Sequence, residues 1–356
     1  LSDEQIMNTQ FGRPVVSSSR RSSILSAAIA LLVAAAGEVR AEGWKAGTAT
    51  VKVTPTTSMW MSGYAARTKP SEGVASDLYC KALALEAGDG RRFVFVTCDL
   101  IGIPRGLRDA VERAAAERFQ LPPEALLLNA SHTHCGPEFR VKSYVVGEDD
   151  ERARQAQAYG DDLRDKLVDL VGRALAECTP VELTYVKARC GFAMNRRTPS
   201  GDTFKNNPWS EGPVDHDVPV LKVAAAKDGA LLAVLFGYAC HNTTIGFYQF
   251  CGDYAGFAQQ YVEEKHPGAT ALFLTGCGGD QNPYPRGTVE LAQKHGRSLA
   301  TAVEAALATT LKPVNGPLQS AFAEVTILYA PAPTRDEFKT RLTSKDKYEA
   351  SHAQRM

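Results

Sequence analysis

The sequence predicts an α/β fold of the mixed α+β kind, a layered sheet-and-helix domain with polar motifs at the C-terminal ends of its strands. Three observations predict it. From residue 80 onward, apolar runs of strand length alternate with segments of helical period. Tight hairpin turns occur together with longer strand-to-helix links, which excludes an all-β or all-helical chain. Four of the apolar runs stop abruptly at polar or glycine-rich residues.

Residues 80–87 and 93–98 read as strands flanking the turn Gly88-Asp89-Gly90. Residues 105–119 read as a helix, because Leu107, Val111, Ala114 and Ala115 recur at helical spacing and Pro104 suits its first turn. A buried strand is expected at 125–130. A long helix follows at 151–177 through Leu163, Leu167, Leu170, Val171 and Leu175. Strands are expected at 181–188 and 218–225, and Asp228-Gly229 turns the chain into the long apolar run 230–239. A helix over 254–265, a strand over 269–275, a helix over 289–308 and a last strand over 318–329 complete the series. One domain over 44–330 is expected, with a charged, weakly helical tail at 331–356 that begins a further C-terminal portion.

The 356 residues carry 40 Lys+Arg and 40 Asp+Glu, a formal net charge of zero. Nucleic acid is therefore not an expected partner, since a general binder needs a basic excess against phosphate. Residues 1–41 read as an N-terminal extension and signal peptide. Arg20-Arg21 precede an apolar run of about 14 residues, followed by Val39-Arg40-Ala41 as a cleavage site. That run is short of the ~20 residues a membrane-crossing helix needs, and no later stretch is long enough. An exported (periplasmic or secreted) protein with no transmembrane segment in its mature chain is expected. The eight cysteines include no Cys-x-x-Cys pair, which counts against a structural zinc knot, and buried free thiols are the simpler reading.

The chemistry collects at strand ends. The run 93–98 leads to Asp99. The run 125–130 leads to Ser131-His132-Thr133-His134-Cys135-Gly136-Pro137, and the run 230–240 leads to His241-Asn242. The run 269–274 leads to Gly278-Gly279-Asp280-Gln281-Asn282-Pro283. Carboxyl ends of sheet strands are where such folds place ligands. Of the chain's seven histidines, three lie in such positions. His132 and His134, two apart on an extended segment, face the same side, so both could bind one metal, or one could bind while its neighbour handles protons.

The histidine motif resembles the Ser-His-Thr-His-Ser-Gly-Pro motif of the neutral ceramidases (neutral/alkaline, non-lysosomal type). Met61-Ser-Gly-Tyr-Ala65, Val96-Thr-Cys-Asp99, Asn195-Arg196, the run into His241 and Gly252-Asp253-Tyr254-Ala-Gly256 are similar in the same order. The resemblance implies a zinc-dependent amidase acting on a lipid amide, N-acylsphingosine in the family, with Zn2+ as cofactor. It implies His132 and His241 as zinc ligands, His134 as the histidine acting beside the metal's water, and Arg196 near the scissile amide. The glycine-rich loop, which in the family helps to hold the sphingoid head group, contributes Gln281 and Asn282 as substrate-binding candidates. That loop lacks the family's serine here, which leaves the substrate open.

The family's further ligands, a glutamate and a tyrosine, have no counterpart up to Met356. The metal shell is completed either by a segment beyond it or by a local carboxylate: Asp99, Asp253 or Asp280. Asp253, directly before a helical segment, reads more naturally as a cap. The competing functions are a metal-dependent esterase or other amidase, and a non-catalytic exported binding protein on a degenerate hydrolase scaffold.

Overall fold

The computed structural model describes residues 43–140 and 151–355, so the signal-peptide reading lies outside the described residues. They form two units, one ending at Ser320 and one beginning at Ala321.

The first unit is built on a nine-stranded sheet. Its strands are β1 (Trp44–Lys52), β3 (Tyr79–Ala87), β4 (Arg92–Cys98), β5 (Leu126–Ala130), β6 (Thr179–Arg189), β9 (Asp217–Ala225), β10 (Leu231–Tyr238), β12 (Thr270–Thr275) and the short β14 (Lys312–Pro313). They run in the order β12-β10-β9-β6-β1-β3-β4-β5, with β14 beside β6. The middle pairings are antiparallel, whereas the outer pairs β10–β12 and β4–β5 are parallel. Both parallel pairs follow strand–helix–strand connections, as right-handed crossovers require.

Side chains alternate between the two faces with the strand period of two. From β3 and β4, Cys80, Ala82, Ala84, Val94 and Val96 pack on the helix α2 (Glu151–Ala176) through Leu163, Leu167, Leu170 and Val171. The same cluster takes in Val111 and Ala115 of α1 (Arg105–Phe119). Val218, Val220, Val234 and Phe236 pack on α3 (Asp253–Lys265) and α4 (Val289–Leu307). The opposite face joins Ala46, Leu83, Leu85, Val181, Leu183, Leu235 and Leu272 in one cluster. Burial on both faces is why these strands read as apolar runs.

The sheet curls so that its edges meet. The side-chain amide of Asn129 on β5 donates to the Thr275 carbonyl of β12 at 3.3 Å and accepts from the Thr275 N–H at 3.0 Å. An asparagine thus imitates a ladder partner between the two edge strands and brings the carboxyl ends of β5, β10 and β12 together. The remaining short strands serve the loops: β2 (Gly73–Val74) pairs β11 (Gln249–Phe250), and β13 (Gln281–Pro283) pairs β7 (Ala193–Ser200), which forms a hairpin with β8 (Thr203–Trp209). Among the described residues no helix is long and apolar enough to cross a membrane. All eight cysteines are free thiols, six of them buried.

Two expectations are corrected. The buried strand expected at 125–130 is the edge strand β5 (Leu126–Ala130), with Ala125 ending a short 3-10 turn; Leu126 is buried but Leu127 is 40% exposed, because β5 closes against β12 through a side chain and not a full ladder. Residues 318–329 form no strand: Val325, Ile327, Leu328 and Tyr329 are 78–99% exposed. The second unit consists of α5 (Arg335–Leu342) and α6 (Lys347–Arg355), so it offers that apolar segment no strand to pair with. Its first helix starts with a capping box, in which Thr334 and Glu337 each satisfy the other's backbone N–H.

Candidate metal centre

After β5 the chain folds back under β4. Ser131 N–H donates to Cys98 at 2.8 Å and His132 N–H to Leu100 at 3.0 Å. His132 is held at φ +62°, a left-handed conformation uncommon outside glycine and typical of constrained functional positions. Its Nδ1 lies 2.7 Å from the Ile101 carbonyl, which can only accept, so Nδ1 carries the proton and Nε2 offers a lone pair. His241, after β10, repeats the arrangement. Its N–H donates to Gln281, and its Nδ1 lies 2.6 Å from the Gly278 carbonyl. Gly278 is required there, since a Cβ would stand 2.5 Å from the Cys240 nitrogen.

His134 completes the cluster. Its Nε2 is 3.3 Å from His132 Nε2, and its ring lies against Tyr64 with centroids 4.9 Å apart. The ligating atoms of His132, His134 and His241 all lie within 4.8 Å of one another. Burial depresses all three. His134 falls to about 3 through burial and the neighbouring His132 and His241, and His241 to about 4 through burial and then Arg196. His132 is lowered by burial, with Arg196 and Arg140 adding to it against the Ile101 hydrogen bond. All are neutral at pH 7, the form that binds metals.

The donor chemistry fits a divalent ion. The His132 lone pair is met by the His134 Nε2–H, the only proton that neutral His134 then has, which leaves His134 Nδ1 buried without a partner. The His241 lone pair is met by Arg196 Nη2 at 3.1 Å. Two preoriented imidazole lone pairs are thus covered only by displaceable N–H donors, and one buried nitrogen is left bare.

Arg196 reaches the cluster because β13 pairs β7. Its N–H donates to Asp280, and its Nε and Nη2 donate to the Gly279 carbonyl at 3.1 and 2.8 Å. Asn282 touches the site through Arg196, whose Nη1 donates to its Oδ1 at 3.4 Å. Gln281 is buried, its Oε1 accepting from the Asp215 N–H and its Nε2 donating to Asp280.

The local-carboxylate option is not met, because none of the three aspartates joins the imidazole group among the described residues. Asp99 accepts from Tyr79 N–H and Gln259 Nε2, tying β3 to α3. Asp280 accepts from Asn195 and Gln281. Asp253 accepts from Ile245 N–H and Tyr254 N–H, bracing the loop after His241 at the start of α3. Burial lifts Asp99 and Asp253 to about 6, against the pull of the hydrogen-bond donors around each.

Residues 44–321 match the family model described as "Neutral/alkaline non-lysosomal ceramidase, N-terminal". The chain belongs to this family. Two solved ceramidase structures share its fold. The neutral ceramidase from Pseudomonas aeruginosa is 20% identical, with a TM-score of 0.65 over 77% of this chain and 46% of that one. The structure titled "Ceramidase complexed with C2" gives the same identity and TM-score over 77% and 45%. The chain thus spans about half the length of the solved ceramidases it matches. The comparison with curated protein sequences gives no match.

Within this ceramidase-family site, three residues escaped the sequence reading in any functional sense. Tyr64 packs on His134. Arg67, buried, donates to the His134 carbonyl at 2.7 Å and to Phe247 at 3.0 Å, fixing the loop behind the imidazole. Arg286 donates to the Tyr64 hydroxyl at 3.4 Å. Tyr64 lay inside the quoted Met61–Ala65 motif. Nothing in the spacing of the two arginines marks them.

Proposed function

We propose that this chain is the metal-binding catalytic part of an exported, Zn2+-dependent hydrolase that cleaves the C–N bond of an amide. The observation that carries the reading is the convergence of three neutral imidazoles beside a half-buried guanidinium that has no carboxylate partner among the described residues. Nitrogen donors in this number suit zinc, and the resemblance to ceramidases names the same ion. When bound, such an ion polarises the amide carbonyl and lowers the pKa of water towards ~7.

The chain's own residues do the rest. His132 and His241 hold the ion through Nε2, their rings oriented by the Ile101 and Gly278 carbonyls. Arg196, steered by Gly279, donates N–H groups towards the carbonyl oxygen as negative charge develops there. His134 takes the proton from the attacking water and returns it to the leaving amine as the C–O bond forms and the C–N bond breaks. Its place in the same donor group equally suits a third ligand, and the metal content of His134→Ala separates the two roles. Gln281 and Asn282 shape the loop that faces the substrate, a lipid or other small-molecule amide.

Export is proposed from Arg20-Arg21 and the apolar run behind them. The test is metal analysis of the purified chain together with fatty-acid release from an N-acyl amide and from the matching ester. Stoichiometric zinc and amide cleavage, both lost in His132→Ala and His241→Ala, are expected. Zinc-free protein, or variants that behave like the parent, overturns the reading, and ester cleavage alone moves it to an esterase.

A further inference from the structure

The cluster lies in a field of positive charge. Arg67, Arg196, Arg197 and Arg286 surround the three imidazoles, and among the described residues none has a carboxylate within 4.0 Å. Away from the cluster, Arg91, Arg164 and Arg173 are each paired with a neighbouring acid, as is Arg140, whose charge also reaches His132. The site arginines instead donate to carbonyls, to His241 and to the Tyr64 hydroxyl. A divalent ion would add to the same field. An anion entering that field would be attracted to it.

The geometry also says where. A cavity of about 430 Å3 is lined by Tyr64, Arg67, Phe247, Tyr248 and Arg286, and the Tyr64 ring in its wall packs against His134. Arg196 lies at the other end of the row, against His241. On the proposed function, Arg196 faces the carbonyl oxygen and His134 faces the leaving amine. The amine half of the substrate therefore points towards Tyr64 and Arg286. The aromatic walls suit the carbon skeleton, and the exposed guanidinium of Arg286 suits a charged end.

We propose that the amide cleaved here carries an anionic group, carboxylate or phosphate, on its amine side, received by Arg286 in the Tyr64–Phe247–Tyr248 cavity. The proposal rests on the hydrolase reading and sharpens its substrate class.

The test compares three amides of one acyl chain on the zinc-loaded chain: N-dodecanoylglycine, N-dodecanoylethanolamine phosphate and neutral N-dodecanoylethanolamine. At least one anionic amide is expected to exceed the neutral one at least tenfold in kcat/KM, the two anionic arms telling carboxylate from phosphate. Arg286→Gln should cut that ratio about tenfold, while the control Arg113→Gln, on the exposed face of α1, leaves it unchanged. The preference should fall with added salt. Hydrolysis of the neutral amide at an equal or higher rate, or a ratio unmoved by Arg286→Gln, overturns the proposal and leaves the hydrolase reading standing. If no amide is cleaved, the hydrolase reading fails, and equilibrium binding decides the rest. Tighter binding of N-dodecanoylglycine than of the neutral amide, lost in Arg286→Gln, supports the anion site. Equal binding removes it.

Discussion

Arg196 Nη2 lies 3.1 Å from His241 Nε2, on the nitrogen that His241 would offer to a metal. One lone pair cannot serve both, so metal entry requires the guanidinium to withdraw towards Gly279 and Asn282, which already accept from its Nε and Nη1. Arg196→Ala is therefore expected to bind zinc more tightly, by about threefold or more in Kd by calorimetric titration. The same variant should lose about 10²–10³ in kcat for amide cleavage, the usual cost of removing a donor to a developing oxyanion. Unchanged zinc affinity would show that the contact gives way freely.

Gly278 determines how His241 is presented. A methyl group there would stand 2.5 Å from backbone nitrogen and 2.7 Å from backbone carbon of Cys240, atoms with no freedom to move aside. Gly278→Ala should lower unfolding stability by about 1–3 kcal/mol, the range for forced overpacking. Because the Gly278 carbonyl fixes the His241 tautomer, zinc content should fall with it. Denaturant midpoints and metal analysis read the two effects separately.

How much of this was legible in the sequence depended on what each segment buries. Strands buried on both faces, such as β4, β10 and β12, announce themselves as apolar runs. His241 is visible because it follows one of them, and His132 and His134 because they follow the apolar edge strand β5. β1 was not expected. Its residues on the α2 side include Gly47 and Ala49, small because α2 presses close: a Cβ on Gly47 would meet the Ala174 carbonyl at 2.2 Å. The β7–β8 hairpin is mostly polar and exposed and is ordered by pairing with β13, so no periodicity marks it. Residues 318–329 show the converse, an apolar segment that reads as a strand whether or not a partner is at hand. Asp253 reads in the sequence as a cap, but Gly252 is the cap of α3 and Asp253 braces the loop after His241, and the edge-locking role of Asn129 needed the sheet to curl.

Asn129 gives a prediction of its own. Its amide makes two hydrogen bonds from β5 to β12, at 3.3 and 3.0 Å. Asn129→Ala leaves the Thr275 N–H and C=O without those partners, at a cost of about 1–3 kcal/mol. Hydrogen exchange at the Thr275 amide should accelerate well before that of the central strands. Exchange that stays slow would show that the edges are held together by something other than this side chain.

Asp99 supplies a pH signature whose sign is fixed by its burial. Desolvation lifts its carboxyl to about 6, against the opposing pull of Lys81, the Tyr79 N–H and Gln259. An acid with a raised folded-state pKa binds its proton more tightly in the folded than in the unfolded chain. Its contribution to stability is therefore greatest below ~4 and falls as pH rises through ~6, by an amount on the order of 2–3 kcal/mol. Asp99→Asn has no such proton to lose. The variant gives up one acceptor, since a single carboxamide oxygen cannot meet both Tyr79 and Gln259, and should be the weaker protein at pH 4.5. Its deficit should shrink, or reverse, at pH 7.5. Parallel unfolding curves for the two proteins at both values, with the difference independent of pH, would mean that Asp99 ionises in the folded chain as freely as in water.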